Sequence, residues 1–277
     1  VGYSFTAKSG SILHVEDTGA RNGADDSGSP VLALHGIGGG AYFFSGAAKR
    51  LSATHRVYAV DLPGTGHSVS ATGSSAPSFT LDSWIADIGD LVRDEIGEPV
   101  ILLGHSLGTI LSLKAWETWP ELIRAFVFTC GLPKARPNIH ERLSARAIEI
   151  AKDGVANWGP KVSPGVFAKT TLAEQPEITG LFERLFEEQR GPEYVREIEV
   201  LLAADLNPVV SSVTIPCHAI AGRHDSYAPP EAVQEFISRL SVKCDIEILE
   251  KSAHMPFLEE PAAYAAAVKR FLQTLRA

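Results

Sequence analysis

Gly104-His105-Ser106-Leu107-Gly108 follows the apolar run Val100-Ile101-Leu102-Leu103 and leads into a helix-forming stretch at 109–119. A strand, a sharp turn and a helix around G-x-S-x-G hold the serine hydroxyl out at the tip of a strained turn, and the glycines let strand and helix approach closely. The Leu107 amide then points from a helix N-terminus at whatever the serine attacks. An ordinary glycine-rich loop needs neither the buried strand before it nor the helix after it.

Outward from this turn, strands and helices alternate. Short strands at 3–6 and 12–17 precede a polar, disordered-looking connection at 20–30. Val31-Leu32-Ala33-Leu34, ending at His35-Gly36, and 56–60, ending at Asp61-Leu62-Pro63-Gly64, have the continuous apolar character of buried parallel strands. Leu81, Trp84, Ile85, Ile88, Leu91, Val92 and Ile96 recur at helical spacing. Strands at 123–128, 217–221 and 246–249 and helices at 230–240 and 261–275 complete the pattern. The order predicts an α/β fold: a mostly parallel eight-stranded sheet with helices on both faces.

Between 133 and 213 the alternation stops. Three helical stripes recur there: Ile139, Leu143, Ile148 and Ile150; Ile178, Leu181, Phe182, Leu185 and Phe186; then Val195, Ile198, Leu201 and Leu202. Each stripe should bury one face, and Pro160, Pro164, Pro176 and Pro192 punctuate them. The expected organisation is a core domain of 1–132 and 214–277 with a helical cap at 133–213, inserted after the sixth strand. Ligands of doubly wound sheets bind beyond the carboxyl ends of the strands, so such an insertion would roof that position.

Composition narrows the function classes. The chain has 277 residues, 45% of them hydrophobic, enough for one large domain with an insertion. Its net charge of −8 and the lack of a basic run speak against a nucleic-acid partner. No apolar stretch approaches the roughly 20 residues of a membrane span. Val1-Gly2-Tyr3-Ser4-Phe5 shows no basic region followed by an apolar one, so no signal peptide is expected, although the missing initiator Met leaves room for trimming. Cys130, Cys217 and Cys244 lack metal-ligand spacing and read as free thiols in a reducing, cytoplasmic setting. No metal or cofactor is called for.

An alcohol is a poor nucleophile at neutral pH, so Ser106 needs a base in reach and a third group to orient that base. Of nine histidines, His254 in Ser252-Ala253-His254-Met255-Pro256 follows the last strand at the sheet's carboxyl edge. It is the expected base. The acid should lie on another carboxyl-edge loop. Gly222-Arg223-His224-Asp225 supplies Asp225 there, with Asp205 in the insertion a distant second. The loop His35-Gly36-Ile37-Gly38-Gly39-Gly40 offers the Ile37 amide as partner to that of Leu107 for an oxyanion hole, because glycines allow close backbone approach. As a phosphate loop this run lacks the Lys-Ser or Lys-Thr ending and the G-x-G-x-x-G spacing.

Together His35-Gly36, the turn Asp61-Leu62-Pro63-Gly64-Thr65-Gly66-His67-Ser68, the 104–108 elbow, Gly222-Arg223-His224-Asp225 and the late His254 make the chain resemble the α/β-hydrolase family. The resemblance covers nearly the whole chain outside the insertion. It implies that the Asp61 turn is structural and that a variable cap sets substrate choice. Family members that open epoxides or remove halogens carry an aspartate where Ser106 stands, and the 104–109 sequence departs from the patterns of carbon–carbon hydrolases and haloperoxidases. The resemblance therefore implies a cofactor-independent serine esterase, lactonase or thioesterase with a Ser106-His254-Asp225 triad. Carbon–carbon hydrolysis or a lyase step on the same triad, and a non-catalytic ligand receptor of this fold, stay open as alternatives. Phe43, Phe44, Trp158, Phe167 and Phe182 are expected to meet an apolar or aromatic part of a small-molecule substrate.

Overall fold

The computed structural model describes residues 1–19, 28–71 and 79–275. Most of the polar connection expected at 20–30 lies outside the described residues. Eight strands form one sheet in the order β1-β2-β4-β3-β5-β6-β7-β8. They are β1 (Gly2–Thr6), β2 (Ile12–Asp17), β3 (Val31–Leu34), β4 (Val57–Val60), β5 (Val100–His105), β6 (Ile123–Thr129), β7 (Cys217–Gly222) and β8 (Cys244–Leu249). The β1–β2 and β2–β4 pairings are antiparallel and the remainder parallel. Every residue of β3, β4 and β5 is buried, as expected of central strands covered on both faces.

The helices, in chain order, are α1 (Ser45–Leu51), α2 (Leu81–Asp90), α3 (Leu107–Thr118), α4 (Pro137–Asp153), α5 (Gly159–Val166), α6 (Lys169–Glu174), α7 (Pro176–Glu187), α8 (Gly191–Ala203), α9 (Asn207–Val210), α10 (Pro230–Ile237), α11 (Pro256–Glu259) and α12 (Pro261–Thr274). Local sequence explains their limits. Thr80 caps α2 through a reciprocal pair of bonds with Ser83, and a proline stands in the first turn of eight of these helices, where its missing N–H costs nothing. The α2 stripe does not stop at Asp90. It continues through a π-helical turn, Leu91–Ile96, and ends at Gly97, whose φ of 76° suits glycine.

Helices α4 to α9 all lie between β6 and β7, where the strand periodicity is missing. Of the three stripes, Ile139, Leu143, Ile150, Phe182, Phe186, Ile198 and Leu201 are buried, Ile178, Leu185, Val195 and Leu202 are half-buried, and two residues are exposed. Ile148 is 72% exposed and Leu181 49% exposed, so the buried phase of α4 runs through Ile139, Leu143, Arg146 and Ile150 instead. Among the described residues, no helix is long and apolar enough to cross a membrane.

Candidate active site

Strand β5 ends in the turn that carries Ser106. The backbone there has φ 53° and ψ −111°, a region that side-chain-bearing residues rarely enter. Hydrogen bonds hold it: the Ser106 N–H donates to the Thr129 carbonyl at 3.0 Å, and the Ser106 carbonyl accepts from the Thr109 N–H at 2.9 Å. The flanking glycines are a steric necessity. A Cβ on Gly104 would lie 2.3 Å from the Gly108 oxygen, and one on Gly108 would lie 2.1 Å from the Leu34 oxygen.

Two backbone donors border this turn. Leu107 opens α3, so its N–H has no carbonyl one turn earlier to bond. The Ile37 N–H has no acceptor among the described residues. Its loop is fixed from the side: Gly38, at φ 67°, donates its N–H to Glu197 Oε2 of α8 at 3.0 Å. Upstream, His35 is a structural residue. Its Nδ1 donates to the Gly36 carbonyl at 2.7 Å and its Nε2 accepts from the Leu62 N–H at 3.0 Å.

His254 sits between β8 and α11. Its Nδ1 donates to Asp225 Oδ2 at 2.8 Å, and Asp225 Oδ1 accepts the N–H groups of Tyr227 at 2.7 Å and Ala228 at 3.1 Å. The Asp225 side chain is fully buried. With Nδ1 committed, Nε2 is the nitrogen left for a reactant. No hydrogen bond joins Ser106 Oγ to His254 among the described residues; such bonds commonly tighten only with substrate in place. The alternative acid, Asp205, is exposed and bonds Lys134 at 2.7 Å and Asn207 at 2.8 Å, which hold its carboxyl below the usual range, the Lys134 bond foremost.

A cavity with about 710 Å³ of empty space opens over these groups, lined by Ser106, His254, Gly36 and Ile37 from the sheet side. Leu143, Val162, Phe182, Phe186 and Tyr194 line it from α4, α5, α7 and α8. Of the five aromatics expected at the substrate, only Phe182 is among the lining residues. Phe43, Phe44 and Phe167 are buried behind it, with ring centroids 6.3 Å between Phe43 and Phe182, 5.1 Å between Phe167 and Phe182, and 5.3 Å between Phe44 and Phe257. Trp158 lies under Lys161, whose ammonium is 4.3 Å from the ring centroid. These four pack the cavity wall from outside.

Three buried groups near the site carry no G-x-S-x-G-like signal. Glu259 accepts from the Ala253 and Met255 N–H groups on either side of His254, at 2.8 and 3.2 Å, and with its other oxygen from the Ala168 N–H and the Thr171 hydroxyl, both at 2.8 Å. Burial raises its carboxyl against these bonds. Cys130, at φ 46°, keeps its thiol beside Asp225; burial first, then that carboxylate, push the thiol well up. Arg146 lines the cavity although it is 5% exposed. A charged residue on the buried phase of an apolar stripe is a legible signal for the last of these.

Two sets of metal-capable side chains occur among the described residues, each with ligand atoms within 4.8 Å: His14, Asp61 and His67, and Cys130, Asp225 and His254. Both are already committed. Asp61 accepts from the N–H groups of Ala41 at 2.7 Å and His67 at 2.8 Å, while Asp225 holds His254 and the Cys130 thiol stays protonated.

Similar proteins agree with this architecture. A pimeloyl-[acyl-carrier protein] methyl ester esterase of Neisseria meningitidis serogroup B is 26% identical over 260 residues, covering 91% of this chain and 96% of the relative. A proline iminopeptidase of Heyndrickxia coagulans is 26% identical over 275 residues, covering 90% of this chain and 92% of that one. Among solved structures, the enol-lactonase from Burkholderia xenovorans LB400 superposes with a TM-score of 0.87 at 20% identity, covering 98% of this chain and 100% of the other. Residues 31–267 match the model of the alpha/beta hydrolase family, and the chain belongs to that family.

Proposed function

We propose that this protein hydrolyses carboxylic esters, lactones and thioesters included, with Ser106 as nucleophile, His254 as general base and Asp225 as the group that orients it. The observation that carries this reading is the buried 2.8 Å bond to Asp225 from Nδ1 of His254, whose imidazole shares a cavity with the serine on its strained turn. Ser106 Oγ attacks the acyl carbon while His254 Nε2 takes its proton. The charge on the acyl oxygen is received by the amides of Ile37 and Leu107. The bond to the leaving group breaks as His254 returns the proton to it, leaving an acyl ester on Ser106. Water then attacks that ester, giving a proton to His254 that passes on to Ser106 Oγ as the acid departs.

Residues 133–213 act as the cap in this reading, because α4, α5, α7 and α8 supply the wall opposite Ser106. The methyl ester esterase among the relatives supports an ester as the bond cleaved. A panel of 4-nitrophenyl esters of two to eight acyl carbons tests the proposal, with turnover expected for the wild type and lost in Ser106→Ala. Absence of turnover across the panel, with a ligand bound unchanged, would favour a receptor.

A further inference from the structure

The cavity holds a buried cation with no counter-ion. Arg146 projects from α4 on the phase that otherwise carries Ile139, Leu143 and Ile150, and it is 5% exposed. A guanidinium has five N–H donors and no acceptor. Two of them meet neutral oxygens: Nη1 donates to the Tyr194 hydroxyl at 3.0 Å and Nη2 to the Tyr227 hydroxyl at 3.1 Å. The Nε donor is buried with no partner, and no carboxylate lies within ion-pair distance among the described residues. Burial pushes the Tyr194 phenol up to about 12, so that hydroxyl does not neutralise the charge at pH 7. Each phenol that accepts from Arg146 keeps its own proton to donate. Three side chains thus converge on one cavity as donors with nothing to receive them.

The rest of the lining makes the imbalance sharper. Lys134 and Arg136 also line the cavity, and among the described residues its lining contains no aspartate or glutamate, although the chain as a whole carries a net charge of −8. Lys134 is already paired with Asp205 at 2.7 Å and Arg136 reaches the Ser226 carbonyl at 3.4 Å. Among the described residues Arg146 meets the two phenol oxygens and, 5.9 Å from its guanidinium carbon, the Trp158 ring, none of which carries a formal negative charge. A buried charge is tolerated when it is paired, so the missing partner is to be sought in the ligand. Planar, forked donors suit a carboxylate in particular.

We infer that Arg146, with the hydroxyls of Tyr194 and Tyr227, forms a carboxylate-binding subsite, and that the substrates are esters or lactones carrying a free carboxylate on the group held by the cap. This rests on the proposed acyl-transfer reading of the same cavity. Tyr227 links the subsite to the candidate base: its ring centroid is 4.8 Å from that of His254, and its hydroxyl is one of the two bonded to Arg146. A carboxylate held by these donors would lie in the same cavity as the imidazole and Ser106 but on separate side chains, as the distal acid of a dicarboxylic monoester requires.

The test compares 4-nitrophenyl pentanoate with the mono-4-nitrophenyl ester of glutaric acid, which have equal acyl length and differ in a terminal methyl against a carboxylate. The wild type should favour the anionic ester in kcat/KM. In Arg146→Met that preference should fall on the order of 100-fold, the usual consequence of removing one partner of a buried charge pair. Arg146→Lys should keep part of it. Equal losses for both esters would assign Arg146 a purely structural role, and equal wild-type kcat/KM for the two would overturn the subsite. Calorimetry with hexanoate and hexanamide reads the subsite without turnover. Hexanoate should bind at least about tenfold tighter, and Arg146→Met should abolish the difference. If neither ester is hydrolysed, the hydrolase reading fails while this binding difference still decides for or against the carboxylate.

Discussion

The backbone N–H of His254 donates to the carbonyl of Val166 across 2.9 Å. The loop that holds the imidazole is thereby tied to α5, a helix of the segment between β6 and β7. Glu259 doubles the tie, because one of its oxygens holds Ala253 and Met255 around the histidine while the other holds Ala168 and Thr171. The candidate base is thus positioned jointly by the sheet edge and by the helical segment above it.

Glu259→Gln should loosen this tie, since an amide oxygen can still accept but the amide nitrogen cannot replace the second carboxylate oxygen. Two buried donors lose their acceptor, each at a cost of about 1–3 kcal/mol. Thermal unfolding should shift down by several degrees and kcat should fall with little change in KM. An unchanged kcat at lowered stability would mean that the tie serves the fold alone.

The two acidic candidates are separated by a pair of substitutions. Asp225→Asn should keep the fold and lower kcat by about 10⁴, because the amide favours the wrong tautomer of His254. Asp205→Asn should be close to silent, as this exposed group pairs with Lys134 and Asn207 on the surface. Steady-state kinetics on any turned-over ester decide between them, and the reverse ranking would move the acid into the 133–213 segment.

How far the sequence alone reached can be read from particular elements. The strands before Ser106 and Asp225 were legible as apolar runs stopped at a turn, and the one before His254 as the alternation of Ile246 and Ile248 with acidic residues. Helices α5 and α6 were not. Gly159–Val166 contains Pro164 and Lys169–Glu174 spans less than two turns, so neither repeats an apolar position often enough to register. Periodicity counted Ile148 and Leu181 as core although both are exposed, and passed over Arg146 and Glu197, which occupy buried helical positions. Hydrophobicity patterns register apolar faces. They do not say whether a polar residue on the buried phase is held there by a tertiary contact, as the Gly38 N–H holds Glu197, or stands without a counter-ion among the described residues, as Arg146 does.

Glu197 makes stability depend on pH in a defined direction. Burial pushes its carboxyl up to about 8, against the lowering effects of the Gly38 N–H bond and of Arg190. In the unfolded chain a glutamate titrates near 4.3. Between those values the folded chain holds a proton that the unfolded chain has released, so the contribution is fully present below about 4.3 and is lost as pH rises through about 8. Relative to Glu197→Gln, the wild type should therefore lose several degrees of melting temperature between pH 5 and pH 8. A constant difference across that range would mean that the carboxyl titrates alike in both states.

A covalent acyl-enzyme on Ser106 should be visible by intact-protein mass spectrometry of acid-quenched mixtures with a 4-nitrophenyl ester. One added acyl mass is expected, mapped by peptide digestion to the segment containing Ser106, absent in Ser106→Ala and slow to accumulate in His254→Ala. Steady turnover by Ser106→Ala, or an acyl mass mapped to a different residue, would contradict it.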